Sequence, residues 1–299
     1  MSGQLKEVRN RIKSTQSNLQ ITKAMKMVSA AKLRRAQDAI LLMRPYAVKL
    51  QEMLQNIVSN SEGSIDLALA AERPVEKVLL VVITSDRGLC GAYNSNLIKL
   101  TKQVIREKYQ EQFEKGHVTI LPIGKKGWEH FVKNGYKMND TYWHLFAHLD
   151  FDHVKEAAAA AMDGFTSGQY DAVEIIYSQF KNAATQFYKA EQFLPIAKVE
   201  EEVPAAKGKK AAKADFIFEP EKQTLIAELM PKILNTQLYK AMLDANASEH
   251  GARMTAMDKA TENANELLRN YKISYNRARQ AAITTELTEI VSGAAALEG

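Results

Sequence analysis

Apolar residues recur through the first part of the chain at alternating spacings of three and four residues. This spacing is the heptad pattern of a left-handed coiled coil, and it predicts a single helix over residues 4–57, in which Pro45 is the only proline. A helix of that length extends about 80 Å, which is too long to bury its apolar stripe within one compact core. It therefore needs partners along its length. The seam comprises Leu5, Val8, Ile12, Leu19, Leu33, Ala36, Ile40, Met43, Ala47, Leu50, Leu54 and Ile57.

The seam is interrupted in the middle of this helix, where the same spacing falls on polar side chains. Apolar residues lie beside the seam at Ile21, Met25 and Val28, so we expect the contact face to shift onto them, as it does in a straighter helix. The surrounding residues are small or basic, which favours close approach of another backbone. The polar seam residues are Thr15, Thr22, Lys26 and Ser29.

A second long helix is predicted at the other end of the chain, from residue 232 to about residue 292, because no proline interrupts it and the lone Gly251 is tolerated. Pro231 fits the first turn of this helix or a kink. Two long helices at opposite ends of a chain pair most simply as an antiparallel coiled coil, and the apolar tip at residues 283–297 is predicted to overhang the pair. The predicted inward face is small: Ala241, Ala245, Ala252, Ala256, Ala260, Ala264, Ala278 and Ala282.

Strand and helix patterns alternate between these two helices. Residues 78–84 form a continuous β-branched and leucine run, typical of a strand that is buried on both faces. The remaining predictions are a helix from a cap at Asn94 or Ser95 to about residue 108, a strand over 117–123, helices over 128–133 and 151–165, and a hairpin of Ala172–Phe180 with Gln186–Leu194.

The predicted fold class is therefore α/β plus a long antiparallel coiled coil, with a central Rossmann-like α/β domain. We divide the chain into an N-terminal coiled-coil helix (1–60), a central α/β domain (75–198), a flexible low-complexity loop (199–219) and a C-terminal coiled-coil helix (220–299).

Charge is distributed unevenly along the chain. Eleven Lys and Arg residues stand against three acidic residues in residues 1–60, whereas the rest of the chain is net negative. Such a basic arm predicts an acidic partner: nucleic acid, anionic lipid or an acidic protein surface. Tyr46 is its only aromatic residue, so it offers no stacking platform for single strands, and an acidic protein surface is the favoured partner. No apolar run is long enough for a transmembrane helix, and the first residues lack the pattern of a secretory signal.

Three sequence features invite a chemical interpretation. Residues 85–94 join a strand to a helix and contain two glycines, but they match neither phosphate-binding glycine motif, so tight turns explain them and nucleotide binding is the alternative. Cys90, the single cysteine, excludes an internal disulfide and is interpreted as a structural thiol. A metal site is the alternative to packing or capping for one cluster: His144, His148, Asp150, Asp152 and His153.

Four segments closely resemble the γ subunit family of F-type ATP synthases. They are ITKAMKMVSAAKLRRAQ at 21–37, TSDRGLCGAYN at 84–94, ASEHGARMTAMDKATENA at 247–264 and YNRARQAAITTELTEIVSGAA at 275–295. The resemblance covers nearly the whole chain and implies a bacterial, non-catalytic rotor shaft. The shaft couples proton flow through a membrane ring to ATP synthesis and hydrolysis on β subunits and regulates both, with no cofactor, metal or nucleotide of its own.

The resemblance also implies partners and contact residues. The expected partners are a hexamer of α and β subunits, the ε subunit and the membrane c-ring, at the cytoplasmic face of the bacterial inner membrane, with no nucleic acid. By motif match, the residues that contact lever and catch loops of β are Met25, Lys26, Arg253, Arg279, Gln280, Thr284 and Glu286. The tip that is held in an apolar bearing comprises Ile290, Val291 and Leu297. The residues that contact the ring or ε are Asp215, Phe216 and Phe218. Residues 199–214 form a lysine–alanine segment that many relatives lack, and its expected role is a solvent-exposed spacer.

Overall fold

The computed structural model describes residues 2–59, 68–196 and 222–298. The elements are α1 (Ser2–Ser59), β1 (Val78–Ile83), α2 (Tyr93–Lys108), α3 (Gln110–Glu114), β2 (Val118–Ile123), α4 (Lys125–Lys133), α5 (Phe151–Thr166), β3 (Ala172–Phe180), β4 (Gln186–Leu194) and α6 (Lys222–Glu298), with short 3-10 turns at Ala68–Ala70 and Leu145–Ala147. Two long terminal helices and a central α/β sheet therefore confirm the predicted fold class. The predicted loop at 199–219 lies outside the described residues.

The four strands form one mixed sheet in the order β2-β1-β3-β4. β1 runs parallel to both β2 and β3, and β4 returns antiparallel to β3 as the predicted hairpin. All six residues of β1 are buried, because helices cover both faces of the sheet. Leu79, Val81 and Ile83 face α5 and the first half of α6, whereas Val78, Leu80 and Val82 face α2 and α4.

The starts of α2, α4 and α6 differ from the sequence predictions. α2 begins at Tyr93 with Ala92 in the capping position, because the Asn94 side chain is engaged by Ser85 and caps nothing. α4 begins three residues earlier than predicted, directly after the turn at Gly124. α6 begins at Lys222, so Pro231 lies inside the helix and not in its first turn.

The chain divides into two compact units. The first unit joins Met1–Ala31 to Arg253–Gly299, and the second unit is Lys32–Ala252. The first unit therefore holds the N-terminal half of α1 with the C-terminal half of α6. The second unit holds the sheet, the helices that cover it and the remaining parts of α1 and α6.

Candidate functional site: the paired helices and their tip

In the first unit, α1 and α6 pack side by side as an antiparallel coiled coil. Arg9 lies against Tyr275, Thr22 against Thr261 and Lys26 against Asp258, so residue numbers rise along α1 as they fall along α6. From Thr261 onward, the partly or fully buried positions of α6 keep the alternating spacing of three and four: Thr261, Ala264, Leu268, Tyr271, Tyr275, Ala278, Ala282 and Thr285. This spacing is that of a heptad seam.

The heptad seam of α1 continues through its polar middle, contrary to the prediction that it shifts onto neighbouring apolar residues. Ser29 is buried and Thr22 is half-buried, whereas Ile21 and Val28 are 56% and 57% exposed, and of the three predicted apolar residues Met25 is half-buried. The reason is that the polar seam residues find partners. The Thr261 hydroxyl donates to Thr22 Oγ1 at 2.9 Å, and the Ser29 hydroxyl donates to the Met25 carbonyl at 2.7 Å. Satisfied hydroxyl groups of this kind carry little penalty in a helix interface.

Lys26 and Asp258 form a charged pair between the two helices of this unit. Both side chains remain close to half exposed, at 42% and 47%. The ammonium group of Lys26 is therefore engaged by α6 and still reaches solvent, where another chain can approach it.

We expect this ion pair to contribute little to stability. A double-mutant cycle of Lys26→Met and Asp258→Asn, measured by urea unfolding, should give a coupling energy of about 0.5 kcal/mol, because half-exposed pairs are screened by water. The coupling should shrink further in about 1 M salt. A salt-independent coupling above about 2 kcal/mol would contradict this expectation, because it would require a desolvated pair.

Two arginines of α1 lie on tyrosines of α6 near the start of the chain. Arg9 Nη2 donates to the Tyr275 hydroxyl at 3.1 Å, and its guanidinium carbon lies 5.8 Å from the centre of the same ring. Arg11 lies 6.0 Å above the Tyr271 ring and also pairs with Glu7. The Arg9 hydrogen bond lowers the pKa of the Tyr275 hydroxyl. These cation–π contacts fix the last turns in which α1 accompanies α6.

The C-terminal tip of α6 continues beyond the start of α1. From Glu286 to Ala295 every side chain is exposed. Four large apolar residues are exposed between positions 283 and 291: Ile283 (49% exposed), Leu287 (58%), Ile290 (67%) and Val291 (67%). A cluster of exposed apolar residues is typical of a surface that another molecule covers. The predicted overhang is therefore confirmed, and Leu297 lies within its helix.

The predicted polar contact residues lie on the same exposed end of α6. Gln280 and Thr284 share a helix face with Val291, whereas Arg279 and Glu286 share one with Ile290, because residues seven or eleven apart align on a helix. The Thr284 hydroxyl donates to the Gln280 carbonyl at 3.0 Å, which leaves its oxygen able to accept.

The other predicted contact residues differ in their exposure. Met25 is half-buried, like Lys26. Arg253 is 7% exposed, so it is the buried member of the set among the described side chains. Asp215, Phe216 and Phe218 lie outside the described residues.

Sequence reasoning missed an exposed apolar face on α1. Ile21, Met27 and Val28 are 56%, 67% and 57% exposed, and exposed Lys23 lies beside them. The sequence signal that could have revealed this face is that these apolar residues lie outside the heptad seam. The described helices of the first unit leave both this face and the C-terminal tip uncovered.

Hydrogen bonds join the two ends of the loop at 85–94. The Ser85 amide donates to Asn94 Oδ1 at 3.0 Å, and Asn94 Nδ2 donates to Ser85 Oγ at 2.8 Å and to Cys90 Sγ at 3.3 Å. Cys90 is 2% exposed, as expected of a structural thiol. The side chains of Ser85, Cys90 and Asn94 are thus paired with one another.

The histidine cluster caps a helix. Asp150 precedes α5 and accepts from the His153 amide at 3.0 Å and from its ring, which raises the pKa of the exposed His153. His148 stacks on His153 with ring centres 6.1 Å apart. Among the described residues, no group of three or more His, Cys, Asp and Glu side chains is arranged to hold a metal ion. None of the described helices is both long and apolar enough to cross a membrane.

Comparison with known sequences identifies relatives of the whole chain. The family model described as ATP synthase matches residues 4–297. A protein of Cytophaga hutchinsonii named ATP synthase gamma chain is 53% identical over 293 residues, which cover 98% of each chain. A protein of the same name from Flavobacterium johnsoniae is 53% identical over 296 residues, which cover 99% of each.

Solved structures share the fold. A chain in the OSCP/F1/c-ring structure of Euglena gracilis mitochondrial ATP synthase superimposes with a TM-score of 0.65, at 23% identity over 99% of this chain and 95% of that chain. A chain in the central stalk/c-ring structure of Tetrahymena thermophila mitochondrial ATP synthase gives a TM-score of 0.55, at 25% identity over 80% of this chain and 99% of that chain.

Proposed function

The chain belongs to the ATP synthase family as a gamma chain, and on this premise we propose that its paired helices turn inside a hexamer of α and β subunits. As a gamma chain it is the non-catalytic rotor of the central stalk. Rotation of an asymmetric shaft couples proton flow through the membrane ring to ATP synthesis or hydrolysis on β, and thereby regulates both. The observation that carries the proposal is the apolar tip of α6, which extends past the start of α1 and exposes every side chain from Glu286 to Ala295.

Each exposed feature of the first unit has a place in this proposal. Ile290, Val291 and Leu297 occupy an apolar bearing at the top of the hexamer, because burial of exposed apolar side chains stabilises a complex. Arg279, Gln280, Thr284 and Glu286 bind polar loops of β below it. The support for these roles is the exposure of the described side chains and the polar groups that they present.

Lower contacts involve the middle of the coiled coil. Met25 and Lys26 face an acidic lever loop of β, and the half-exposed ammonium of Lys26 supports this role. Arg253 is a further contact residue of the proposal. Because it is buried within this chain, its contribution includes positioning of the α6 backbone.

The foot of the rotor completes the proposal. The α/β domain (75–198) together with Asp215, Phe216 and Phe218 contacts the ε subunit and the c-ring, and the coiled-coil helices (1–60 and 220–299) form the shaft, with 199–219 as a loop between domain and helix. The complex places the chain at the cytoplasmic face of the bacterial inner membrane as a peripheral subunit.

Co-purification tests the proposal directly. Isolation of the native protein from detergent-solubilised membranes should recover α and β subunits in amounts comparable to each other and larger than this chain, as a hexamer around one shaft requires. Recovery of this chain without either subunit would contradict the proposal.

We expect Met25→Lys to weaken coupling. The variant replaces an apolar side chain at the contact by an ammonium that must be desolvated there, and this ammonium repels Lys26 on its own helix, so the geometry of the contact between shaft and lever is disturbed. In inverted membrane vesicles, protons pumped per ATP hydrolysed should fall by roughly twofold or more, while hydrolysis continues. Met53→Lys is the matched control, since Met53 is an exposed methionine of the same helix in the other unit. Equal pumping ratios in both variants would contradict the lever contact.

A further inference from the structure

The β3–β4 hairpin is docked on one face of α6 within the second unit. Three residues of α6 at spacings of four and three form this face: Asp244, Ser248 and Gly251. The Ser248 hydroxyl donates to the carbonyl of Ser178 on β3 at 3.0 Å, and both residues are buried. We call these three positions and the hairpin residues that they touch the hairpin joint.

Glycine at the end of the joint permits close contact between backbones. A Cβ atom at position 251 would lie 3.2 Å from Ala183 Cα and 3.3 Å from the Ala183 carbonyl oxygen, at the turn between β3 and β4. That separation is tighter than ordinary van der Waals contact. The hairpin turn therefore rests directly on the α6 backbone, which a side chain would hold away.

Asp244 is the buried titratable group of the joint. It is 6% exposed, and the backbone amide of Phe180 donates to its carboxylate. Charged groups face it from three elements: Lys240 on its own helix, Arg44 on α1 and Glu191 on β4, whose carboxylate also accepts from the Tyr177 hydroxyl at 2.9 Å. Burial raises the pKa of Asp244 to about 6, and Glu191 adds to the rise, whereas Lys240, the Phe180 amide and Arg44 oppose it.

We propose that the hairpin joint is a releasable coupling, in which the ionised carboxylate of Asp244 holds the β3–β4 hairpin on α6 more weakly than a neutral side chain would. Every docking contact named above belongs to this chain, so the joint does not depend on partners. Its role as a yielding element between the sheet and the shaft rests on the proposed function.

Proton linkage gives the direction in which docking strength changes with pH. When the hairpin leaves α6, Asp244 returns to water and to its ordinary pKa of 3.8, which lies below the docked value of about 6. The docked state therefore binds the proton more tightly than the undocked state. The docking stability that this proton binding contributes is fully present below about pH 4 and is lost as the pH rises to about 6. A difference of about two pH units corresponds to a docking equilibrium about a hundredfold weaker above pH 6 than at low pH.

Hydrogen exchange of the isolated full-length chain, read by mass spectrometry, tests the joint. Peptides spanning the β3–β4 hairpin are compared with a β2 peptide after correction for intrinsic exchange rates. In the unmodified chain, hairpin protection relative to β2 should fall about tenfold between pH 5 and pH 8. At pH 8, Asp244→Asn should raise hairpin protection by up to about a hundredfold, whereas Asp163→Asn, an exposed residue of α5, should leave it unchanged.

Two outcomes would overturn the proposal. Hairpin protection that is independent of pH in the unmodified chain would show that Asp244 does not set the docking strength. An Asp244→Asn effect of equal size in the β2 peptide would show a change in global stability without a local joint. The measurement uses this chain alone, so either failure is distinct from a failure to recover α and β subunits.

Discussion

Gly124→Ala is expected to lower the free energy of unfolding by about 4 kcal/mol, because two costs combine at this position. The residue has a φ of +99°, which L side chains rarely adopt. An added Cβ would also lie 2.2 Å from the carbonyl oxygen of Thr84 and 2.6 Å from its carbonyl carbon. The Thr84 amide donates to the Ile123 carbonyl at 2.7 Å, so relief of the clash would separate the ends of β1 and β2. Urea unfolding of the full chain measures the change as a shift in midpoint.

Gly135→Ala provides the matched control for this effect. Gly135 has a φ of +70°, yet no atom lies within 4 Å of the position that a Cβ would take. Only the backbone cost applies there, which is about 1–2 kcal/mol. The difference between the two variants therefore isolates the contact with Thr84. Equal destabilisation by both variants would contradict the crowding that the structure shows.

Local patterns in the sequence were sufficient to predict most of the fold. The bounds of β3 and β4 follow from runs of strand-forming residues between turn residues, and they match the structure. The start of α2 could not be predicted in this way. Asn94 is a good capping residue by type, but Ser85, nine residues earlier, takes both ends of its amide. A pairing across a turn overrides a preference that is read from neighbours alone.

The polar layer of the coiled coil shows the same limit over a longer distance. Thr22 and Lys26 are unfavourable seam residues when α1 is considered alone, which is why the contact face was predicted to shift. Their partners, Thr261 and Asp258, lie more than 230 residues away in the sequence. Only the register of the antiparallel pair brings these side chains together, and no local pattern encodes that register. The exposed face at Ile21 and Val28 was missed for this reason.

Some features of the candidate site were predicted from local sequence patterns, and others only from resemblance to a family. The overhanging apolar tip followed from composition and helix length, and the structure confirms it. The roles of Arg279, Gln280, Thr284 and Glu286 came only from motif similarity, because exposed polar residues on a helix carry no signal that separates contact from solvation. The joint at Asp244 was visible only in the structure, since burial of a carboxylate depends on the sheet that covers it.

The double variant Ile290→Asp/Val291→Asp should weaken assembly with α and β subunits by about a hundredfold or more, while the isolated chain keeps its stability and helix content. Both side chains are 67% exposed in this chain, so charges cost little there before assembly. Within an apolar bearing, each of the two substitutions loses about 1.5–3 kcal/mol of apolar burial and also requires desolvation of a carboxylate. Assembly is measured from ATP hydrolysis as this chain is titrated into purified α and β subunits.

Leu267→Asp/Ile273→Asp separates the bearing from a general effect of charge. These residues are 47% and 42% exposed on the same helix, but they lie where α1 still accompanies α6. The control adds the same two charges and removes the same kind of side chain outside the tip, so it should assemble like the unmodified chain. If both double variants assembled equally well, the tip would not be held by apolar burial. A bearing confined to the tip predicts that only the substitutions at 290 and 291 weaken assembly. If both double variants failed equally, the shaft would instead be sensitive to added charge along its whole length, and the bearing would not explain the result.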